Sequence, residues 1–284
     1  MTQKLAIAIL HGAGTPKENF AEEMIQSISK RFAEKLHTKN TEQSLVFEPV
    51  FWSSIFEREQ EELWERVQRN AELDFTYLRR FAIEFLADAI AYQPTTIGNQ
   101  NYDKVHSFFA ESLRRLKKKA GSKAPLCVIS HSLGSIIASN YFFDMQYRQG
   151  SLGDLTKNIV EDTPLEKGDT LTLFYTMGSP MALWSLRYID FGSPISVPSP
   201  LLNNYYPNLK GEWLNFYDKD DVLSFPLKAL NDIFQTHVTD DVAVNAGGLL
   251  TSWNPLSHIK YSSDNDVIEP IVDGLIRTWD EINS

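Results

Sequence analysis

Residues 124–135 read Ala-Pro-Leu-Cys-Val-Ile-Ser-His-Ser-Leu-Gly-Ser, and much of the architecture can be worked out from this segment. An apolar run fills its first half, which is typical of a strand buried on both faces, and small helix-compatible residues follow. The segment predicts a strand (126–129) that passes through a sharp turn into a helix, with Ser132 at the tip. Such a turn exposes the serine Oγ and points the first helical amides at whatever the serine attacks.

The residues two before and two after Ser132 must be small, because strand and helix nearly touch at such a turn. Gly134 meets this demand, and Ser130 stands where glycine is commoner. The alternative is an ordinary strand-to-helix turn in which the serine only caps the helix.

The rest of the chain repeats this alternation of apolar runs and amphipathic segments. Further strands are expected at 5–10, 45–51, 171–177 and 213–217, and helices at 20–36, 103–119 and 267–279. Strands that alternate with helices predict an α/β fold with a mostly parallel sheet flanked by helices. Residues 242–258 are expected to be irregular or hairpin-like.

Two segments are longer than a simple crossover requires. Residues 53–91 carry apolar residues at helical spacing and predict one or two helices, whereas residues 181–211 are rich in proline and aromatic residues and predict a long loop. With no linker or repeat in the sequence, we expect a single domain over 1–284, with possible cap insertions at 53–91 and 181–211.

The overall composition narrows the class of protein. With 27 basic and 37 acidic residues, the net charge of −10 argues against nucleic acid or an anionic membrane surface as the main partner. No apolar run approaches the ~20 residues that span a bilayer, so no membrane insertion is expected. A single cysteine, Cys127, and the short N-terminal run 4–10 point to a cytoplasmic protein without a signal peptide.

A serine nucleophile needs a histidine base. His258 is the preferred candidate, because it stands in a polar loop shortly before the last helix. His237 is the alternative, and the sharp turn is expected to point His131 away. His37 and His106 fall in predicted helices and are expected at the surface.

The histidine needs a carboxylate, which should follow the end of a strand. Three aspartates compete after strand 213–217, namely Asp218, Asp220 and Asp221. Asp220 is favoured by a pattern in which an acid is followed by any residue, then by two apolar residues and a proline. Here these are Val222, Leu223 and Pro226. The other two aspartates could instead close the turn.

The oxyanion of the reaction needs backbone donors, and the loop after the first strand offers them. This loop is His11-Gly12-Ala13-Gly14, whose glycines allow a sharp turn that exposes its amides. The expected donors are the N–H of Ala13 (or Gly12) and that of Leu133. A phosphate site is less favoured, since the loop lacks the third glycine of a dinucleotide site and the Lys-Ser/Thr of a P-loop.

The order of these parts resembles the α/β-hydrolase superfamily over essentially the whole chain. Residues 176–180, Thr-Met-Gly-Ser-Pro, are similar to the Thr-hydrophobic-Gly-x-Pro segment of its lipase-like members. The resemblance implies Ser132 as nucleophile, Asp220 as acid and His258 as base, with Ala13 and Leu133 as oxyanion donors. It also implies a sheet of five or six strands, shortened because the chain starts at the strand that carries the His-Gly loop.

The resulting expectation is a serine hydrolase that cleaves a small-molecule carboxylic ester through an acyl-enzyme, with no metal or organic cofactor. Ester is preferred by analogy with the superfamily. A thioesterase, acyltransferase or peptidase would use the same triad. A non-catalytic binding protein on a hydrolase scaffold is the alternative from another class.

Overall fold

The structure is a computed structural model that describes residues 2–14, 16–37, 40–70, 74, 76–94, 100–245 and 260–284. Its strands are β1 (Leu5–Leu10), β2 (Leu45–Val50), β3 (Leu126–His131), β4 (Leu171–Met177), β5 (Glu212–Asp218) and β6 (Asp240–Val244). They form one sheet in the order β2-β1-β3-β4-β5-β6, and every neighbouring pair is parallel.

Helices connect and cover the strands. They are α1 (Glu22–Lys35), α2 (Glu57–Asn70), α3 (Thr76–Ala91), α4 (Gln100–Ala120), α5 (Leu133–Tyr147), α6 (Asp154–Ile159), α7 (Met181–Ser185), α8 (Asp232–His237) and α9 (Asn265–Asn283). Among the residues that the structure describes, no helix is both long enough and apolar enough to cross a membrane.

Both faces of the sheet are buried, which explains why its strands read as continuous apolar runs. In β1, Leu5, Ile7 and Ile9 pack in one cluster with apolar residues of α1 and α9. The alternate residues of β1 pack in a second cluster with α4 and α5. The α/β class and the parallel sheet predicted from the sequence are therefore confirmed.

One part of the sequence prediction is wrong. Residues 242–244, expected to be irregular or hairpin-like, belong to the parallel edge strand β6, and residues 246–259 lie outside the described residues. The strand begins with two aspartates and buries only Val244, and Asp241 has a structural role there. Its carboxylate accepts hydrogen bonds from Asn215 Nδ2 (2.7 Å) and from the N–H of Lys228 (2.8 Å), which fastens the loop after β5.

The two long insertions differ in regularity. Residues 53–91 contain α2 and α3, as their helical spacing predicted. Residues 181–211 contain the short helix α7 and isolated 3₁₀ turns between irregular stretches. Both insertions begin beyond the carboxyl end of a strand, β2 for the first and β4 for the second.

Candidate active site

The carboxyl ends of the parallel strands bring those predicted site residues that the structure describes to one edge of the sheet. Ser132 follows β3, the His11–Gly14 loop follows β1, and Asp218 ends β5. The chain leaves β1 toward β2 on one side and returns to β3 on the other, so the strand order reverses between β1 and β3. Ligands of open α/β sheets bind at such a switch point, outside the carboxyl ends of the strands.

Ser132 has a strained backbone. Its φ of 49° and ψ of −126° lie where side-chain-bearing residues are uncommon, and the residue is almost fully buried. The strain is maintained because the Ser132 N–H donates to Met177 O at 2.9 Å and α5 begins at the next residue. Residues held in sparsely populated conformations cluster at functional sites. The sharp strand-to-helix turn expected from the sequence is present.

A chain of hydroxyl groups buttresses this turn. Ser135 Oγ donates to the carbonyl oxygen of Ser132 at 2.6 Å, so it must accept from Ser179 Oγ, which is also 2.6 Å away. Ser179 Oγ in turn accepts the N–H of Met181 at 3.2 Å. All of these hydroxyls are buried, and they tie the serine turn to the loop after β4.

The small residues around the turn are required by close packing. A Cβ on Gly134 would lie 2.4 Å from His11 O, a backbone atom that cannot move aside cheaply. Ser130 fits in place of the commoner glycine because its Oγ donates to Tyr175 O at 3.2 Å. Position 134 must therefore be small, as the sequence predicted, but the atoms that require it belong to the end of β1 and to His11.

His11 holds the loop after β1 and does not act as a base. Its ring stacks on Trp52 at 4.8 Å, its Nδ1–H donates to Gly12 O at 2.7 Å, and its Nε2 accepts the Trp52 N–H at 3.2 Å. Trp52 Nε1 donates to His11 O at 3.1 Å. Burial lowers the pKa of His11 to about 4, partly opposed by the bond to Gly12, so the imidazole is neutral at pH 7.

The same loop touches the serine. A Cβ on Gly12 would lie 2.7 Å from Ser132 Cβ. The N–H of Gly14 is engaged by Asp88 Oδ2 at 2.8 Å. Within the described part of the chain, the N–H groups of Ala13 and Leu133 donate no hydrogen bond. Two backbone donors flank the point where the loop meets Ser132, as an oxyanion hole requires.

The three candidate aspartates differ in burial. Asp220, which the sequence favoured, is exposed, whereas Asp218 and Asp221 are buried. Asp218 Oδ1 accepts the Asp220 N–H at 2.9 Å, and Asp221 Oδ1 accepts the Leu223 N–H at 3.0 Å. Asp221 Oδ2 accepts the Tyr261 hydroxyl at 2.9 Å, and that hydroxyl accepts the Asp218 N–H, also at 2.9 Å.

Tyr261 joins this acid cluster to the serine turn. It is fully buried and follows His258 by three residues. Its ring centroid lies 5.9 Å from that of His131, whose Nδ1 would be 2.9 Å from a Cβ on Gly12. Burial and the neighbouring charge of Asp221 raise the pKa of Tyr261, so it stays a neutral hydrogen-bond donor.

The candidate bases are separated by topology. His258 lies outside the described residues. His237 stands three residues before β6, at the edge where the strands begin, and its Nδ1 lies 2.8 Å from Ile233 O. The opposite edge carries Ser132, so His237 is excluded as its base. His37 is exposed at the end of α1, as predicted.

His106 was expected at the surface and is instead buried. It lies in α4, where its Nε2 is hydrogen-bonded to the Tyr92 hydroxyl at 2.9 Å, and that hydroxyl accepts from Asn140 Nδ2 at 3.2 Å. No local pattern reveals this burial, because Tyr92 reaches α4 from just beyond residues 53–91. Burial lowers the pKa of His106 to about 3.

Two buried neutral histidines predict a loss of stability in mild acid. The pKa values of His11 and His106 are about 4 and about 3, against an ordinary value of 6.5. As the pH falls, the two histidines are therefore protonated in the unfolded chain before they are protonated in the folded protein. Their contribution to the free energy of unfolding is complete above pH 6.5 and is lost as the pH falls toward the folded-state pKa values of about 4 and about 3. From pH 7.5 to 5.5 each removes roughly 1 to 2 kcal/mol of the free energy of unfolding.

We therefore expect the free energy of unfolding, from urea titrations, to fall by about 3 kcal/mol between pH 7.5 and pH 5.5. The variant His11→Gln should lose about half of this pH dependence. An unfolding free energy that is the same at both pH values would contradict the neutral, buried state of these histidines.

The fold and the site together define an α/β protein with a strained, buried serine at the switch point of a parallel sheet. Within the ranges described above, no group of three or more His, Cys, Asp or Glu residues is arranged to hold a metal ion. Comparison of the chain with protein-family models and with curated proteins found no match.

Proposed function

We propose that the protein is a serine hydrolase of the α/β-hydrolase type that cleaves a carboxylic ester through an acyl-enzyme on Ser132. The observation that carries this proposal is the strained turn that presses Ser132 against Gly12 at the switch point. Two amides without a partner among the described residues flank that contact, those of Ala13 and Leu133. A serine that only capped a helix would need neither the strain nor the second loop.

The reaction then follows the acyl-transfer pattern. Ser132 Oγ attacks the ester carbonyl carbon while His258 accepts the Oγ proton, and the oxyanion is held by the N–H groups of Ala13 and Leu133. Collapse of the tetrahedral intermediate breaks the carbon–oxygen bond, and His258 returns the proton to the departing alcohol. His258 then deprotonates a water, which attacks the acyl-enzyme and releases the acid and Ser132.

His258 is supported by the position of Tyr261. His258 precedes Tyr261 by only three residues, which span at most about 11 Å between Cα atoms, and the Tyr261 side chain is anchored between the acid cluster and His131. Of the other histidines, His11 is hydrogen-bonded to Gly12 and Trp52, and His106 to Tyr92.

For the acid we assign Asp221 in place of Asp220. A triad carboxylate acts from a buried position, where its charge is weakly screened and its geometry fixed. Asp220 is exposed, whereas Asp221 is buried and bonded through Oδ2 to Tyr261, in the segment that follows His258. Both buried carboxylates accept a backbone N–H two residues further on through Oδ1, and Asp221 is preferred to Asp218 because its Oδ2 also bonds Tyr261.

Thioesters and amides pass through the same acyl-enzyme, so thioesterase, acyltransferase and peptidase activities belong to the same proposal. Ester hydrolysis is preferred by analogy with hydrolases of this fold. A binding protein on the same scaffold would keep the fold without an acyl-enzyme.

Burst kinetics distinguish an acyl-enzyme mechanism from a non-catalytic binding protein. With p-nitrophenyl acetate or butyrate, we expect a burst of p-nitrophenol that approaches one equivalent per chain and precedes slower turnover. The burst should be absent from Ser132→Ala. Folded wild-type protein that releases p-nitrophenol no faster than Ser132→Ala would refute the hydrolase proposal.

The contact between Gly12 and Ser132 gives a second test. In Gly12→Ala the new Cβ must displace Ser132 or the loop, since it would lie 2.7 Å from Ser132 Cβ. Because a displacement of 1 Å in an active site can reduce the rate about 100-fold, we expect kcat to fall roughly 10- to 100-fold.

The matched control is Gly150→Ala, whose added Cβ meets nothing within 4 Å. It should keep wild-type turnover of p-nitrophenyl butyrate. Wild-type kcat in Gly12→Ala would show that the loop does not border the reacting serine.

A further inference from the structure

We propose that Asp88, on α3 of the 53–91 insertion, is a positioning residue that fixes the oxyanion loop through the Gly14 amide. This inference rests on the proposed function and assigns to the insertion a role in the chemistry of Ser132. It starts from one unusual feature, a fully buried carboxylate on a helix that lies outside the sheet.

Asp88 joins three parts of the chain. Its Oδ2 accepts the Gly14 N–H at 2.8 Å, and its Oδ1 accepts Nε2 of Gln60, a buried residue of α2. A carboxylate is costly to bury, and it stays buried when charge-assisted hydrogen bonds compensate. The loop after β1, α2 and α3 therefore meet at one carboxylate, 74 residues from Gly14 in sequence.

The consequence for Ala13 follows from the planarity of the peptide unit. Because that unit is planar and trans, the carbonyl of Gly12 and the N–H of Ala13 point in opposite directions. His11 Nδ1–H holds the Gly12 carbonyl, which sets the direction of the Ala13 N–H. Asp88 holds the N–H of the next peptide unit, so both units that flank Ala13 are fixed.

Glycine makes this restraint necessary. Gly14 has a φ of 97°, a conformation that glycine adopts readily, and a glycine next to a peptide unit makes rotation of that unit easy. Without an acceptor for its N–H, the Ala13–Gly14 peptide unit can turn over and carry Ala13 with it. A preorganised donor costs no reorganisation during the reaction, so the loss of Asp88 should slow the chemical step and leave substrate binding intact.

The test compares Asp88→Ala with Asp88→Asn in the full chain. Asparagine can still accept the Gly14 N–H through Oδ1 and donate to the Gln60 side-chain oxygen, whereas alanine can do neither. Turnover of p-nitrophenyl butyrate is normalised to the burst amplitude, which counts only active molecules. We expect Asp88→Ala to lower kcat roughly 10- to 100-fold with KM within about 2-fold, and Asp88→Asn to retain most of kcat.

A second measurement is independent of activity. The Gly14 amide resonance in a ¹⁵N–¹H TROSY spectrum should lie downfield and exchange slowly in wild type and Asp88→Asn, and both properties should be lost in Asp88→Ala. This measurement can still be made when Asp88→Ala gives too little active protein for kinetics. A second variant, Gln60→Leu, removes the other partner of Asp88 and should broaden or shift the same Gly14 resonance.

The outcomes are distinguishable. An unchanged Gly14 resonance in Asp88→Ala, or an unchanged normalised kcat, overturns the positioning role while the burst of wild type leaves the hydrolase proposal standing. A parallel rise of KM and fall of kcat in both variants also overturns it, because it indicates general damage. Wild-type protein that releases p-nitrophenol no faster than Ser132→Ala refutes the proposed function, and the Gly14 resonance alone then decides whether Asp88 holds the loop.

Discussion

Replacing Ser132 with alanine is expected to lower kcat/KM for p-nitrophenyl butyrate on the order of 10⁵-fold, because the nucleophile of the acyl-enzyme is removed. Any residual rate should come from the oxyanion donors and from binding alone. The matched control is Ser139→Ala, which lies about two turns further along α5 and should keep wild-type turnover. Substantial activity in Ser132→Ala would place the chemistry elsewhere.

The strain at Ser132 adds a stability measurement to the same series. Alanine keeps the unfavourable φ of 49°, whereas glycine adopts it without a clash. Strain of this kind costs about 1–3 kcal/mol, partly offset by the greater freedom of glycine in the unfolded chain. Ser132→Gly should therefore be inactive and about 1 kcal/mol more stable in urea than Ser132→Ala. Equal stabilities would show that the turn stores no strain.

Asp221→Asn is expected to lower kcat on the order of 10⁴-fold, because an amide neither stabilises the imidazolium nor holds the histidine in the reactive tautomer. Asp220→Asn, in contrast, changes an exposed side chain and should keep kcat within about 2-fold. Single-turnover acylation with p-nitrophenyl acetate measures the relevant step directly.

Asp218→Asn completes this series. This variant weakens the hydrogen bond that closes the turn at Asp220, so a modest loss of kcat is expected. A loss in Asp218→Asn larger than that in Asp221→Asn would move the assignment to Asp218. A large loss confined to Asp220→Asn would restore the assignment that the sequence favours.

The sequence predicted the parts of the fold that depend on local pattern. β1 and β4 have the predicted bounds, because apolar runs buried on both faces end where turn residues begin. β6 was missed, because an edge strand needs no apolar run and Asp241 is used there for hydrogen bonds to a loop. The bounds of the predicted helices differ from those of α1, α4 and α9 by a few residues, as expected when helix ends are decided by tertiary contacts.

The candidate site, like the fold, was predictable from the sequence only where it depends on residues that are close together in the chain. The serine turn could be predicted because strand, turn and helix are contiguous, and its strain depends on small neighbours visible in the sequence. The burial of Asp221 could not, since its partner Tyr261 is 40 residues away. The contact between Asp88 and Gly14 is equally remote, although a single acid within the apolar run Leu-Ala-Asp-Ala-Ile was a signal that could have been followed.

The central claim is that Ser132 is an activated nucleophile, and covalent labelling tests it most directly. Wild-type protein and Ser132→Ala are treated with a fluorophosphonate, and intact mass and peptide mapping follow. We expect one adduct per wild-type chain, located on Ser132, and none on Ser132→Ala. Folded wild-type protein that gains no adduct, or an adduct that persists in Ser132→Ala, would contradict it.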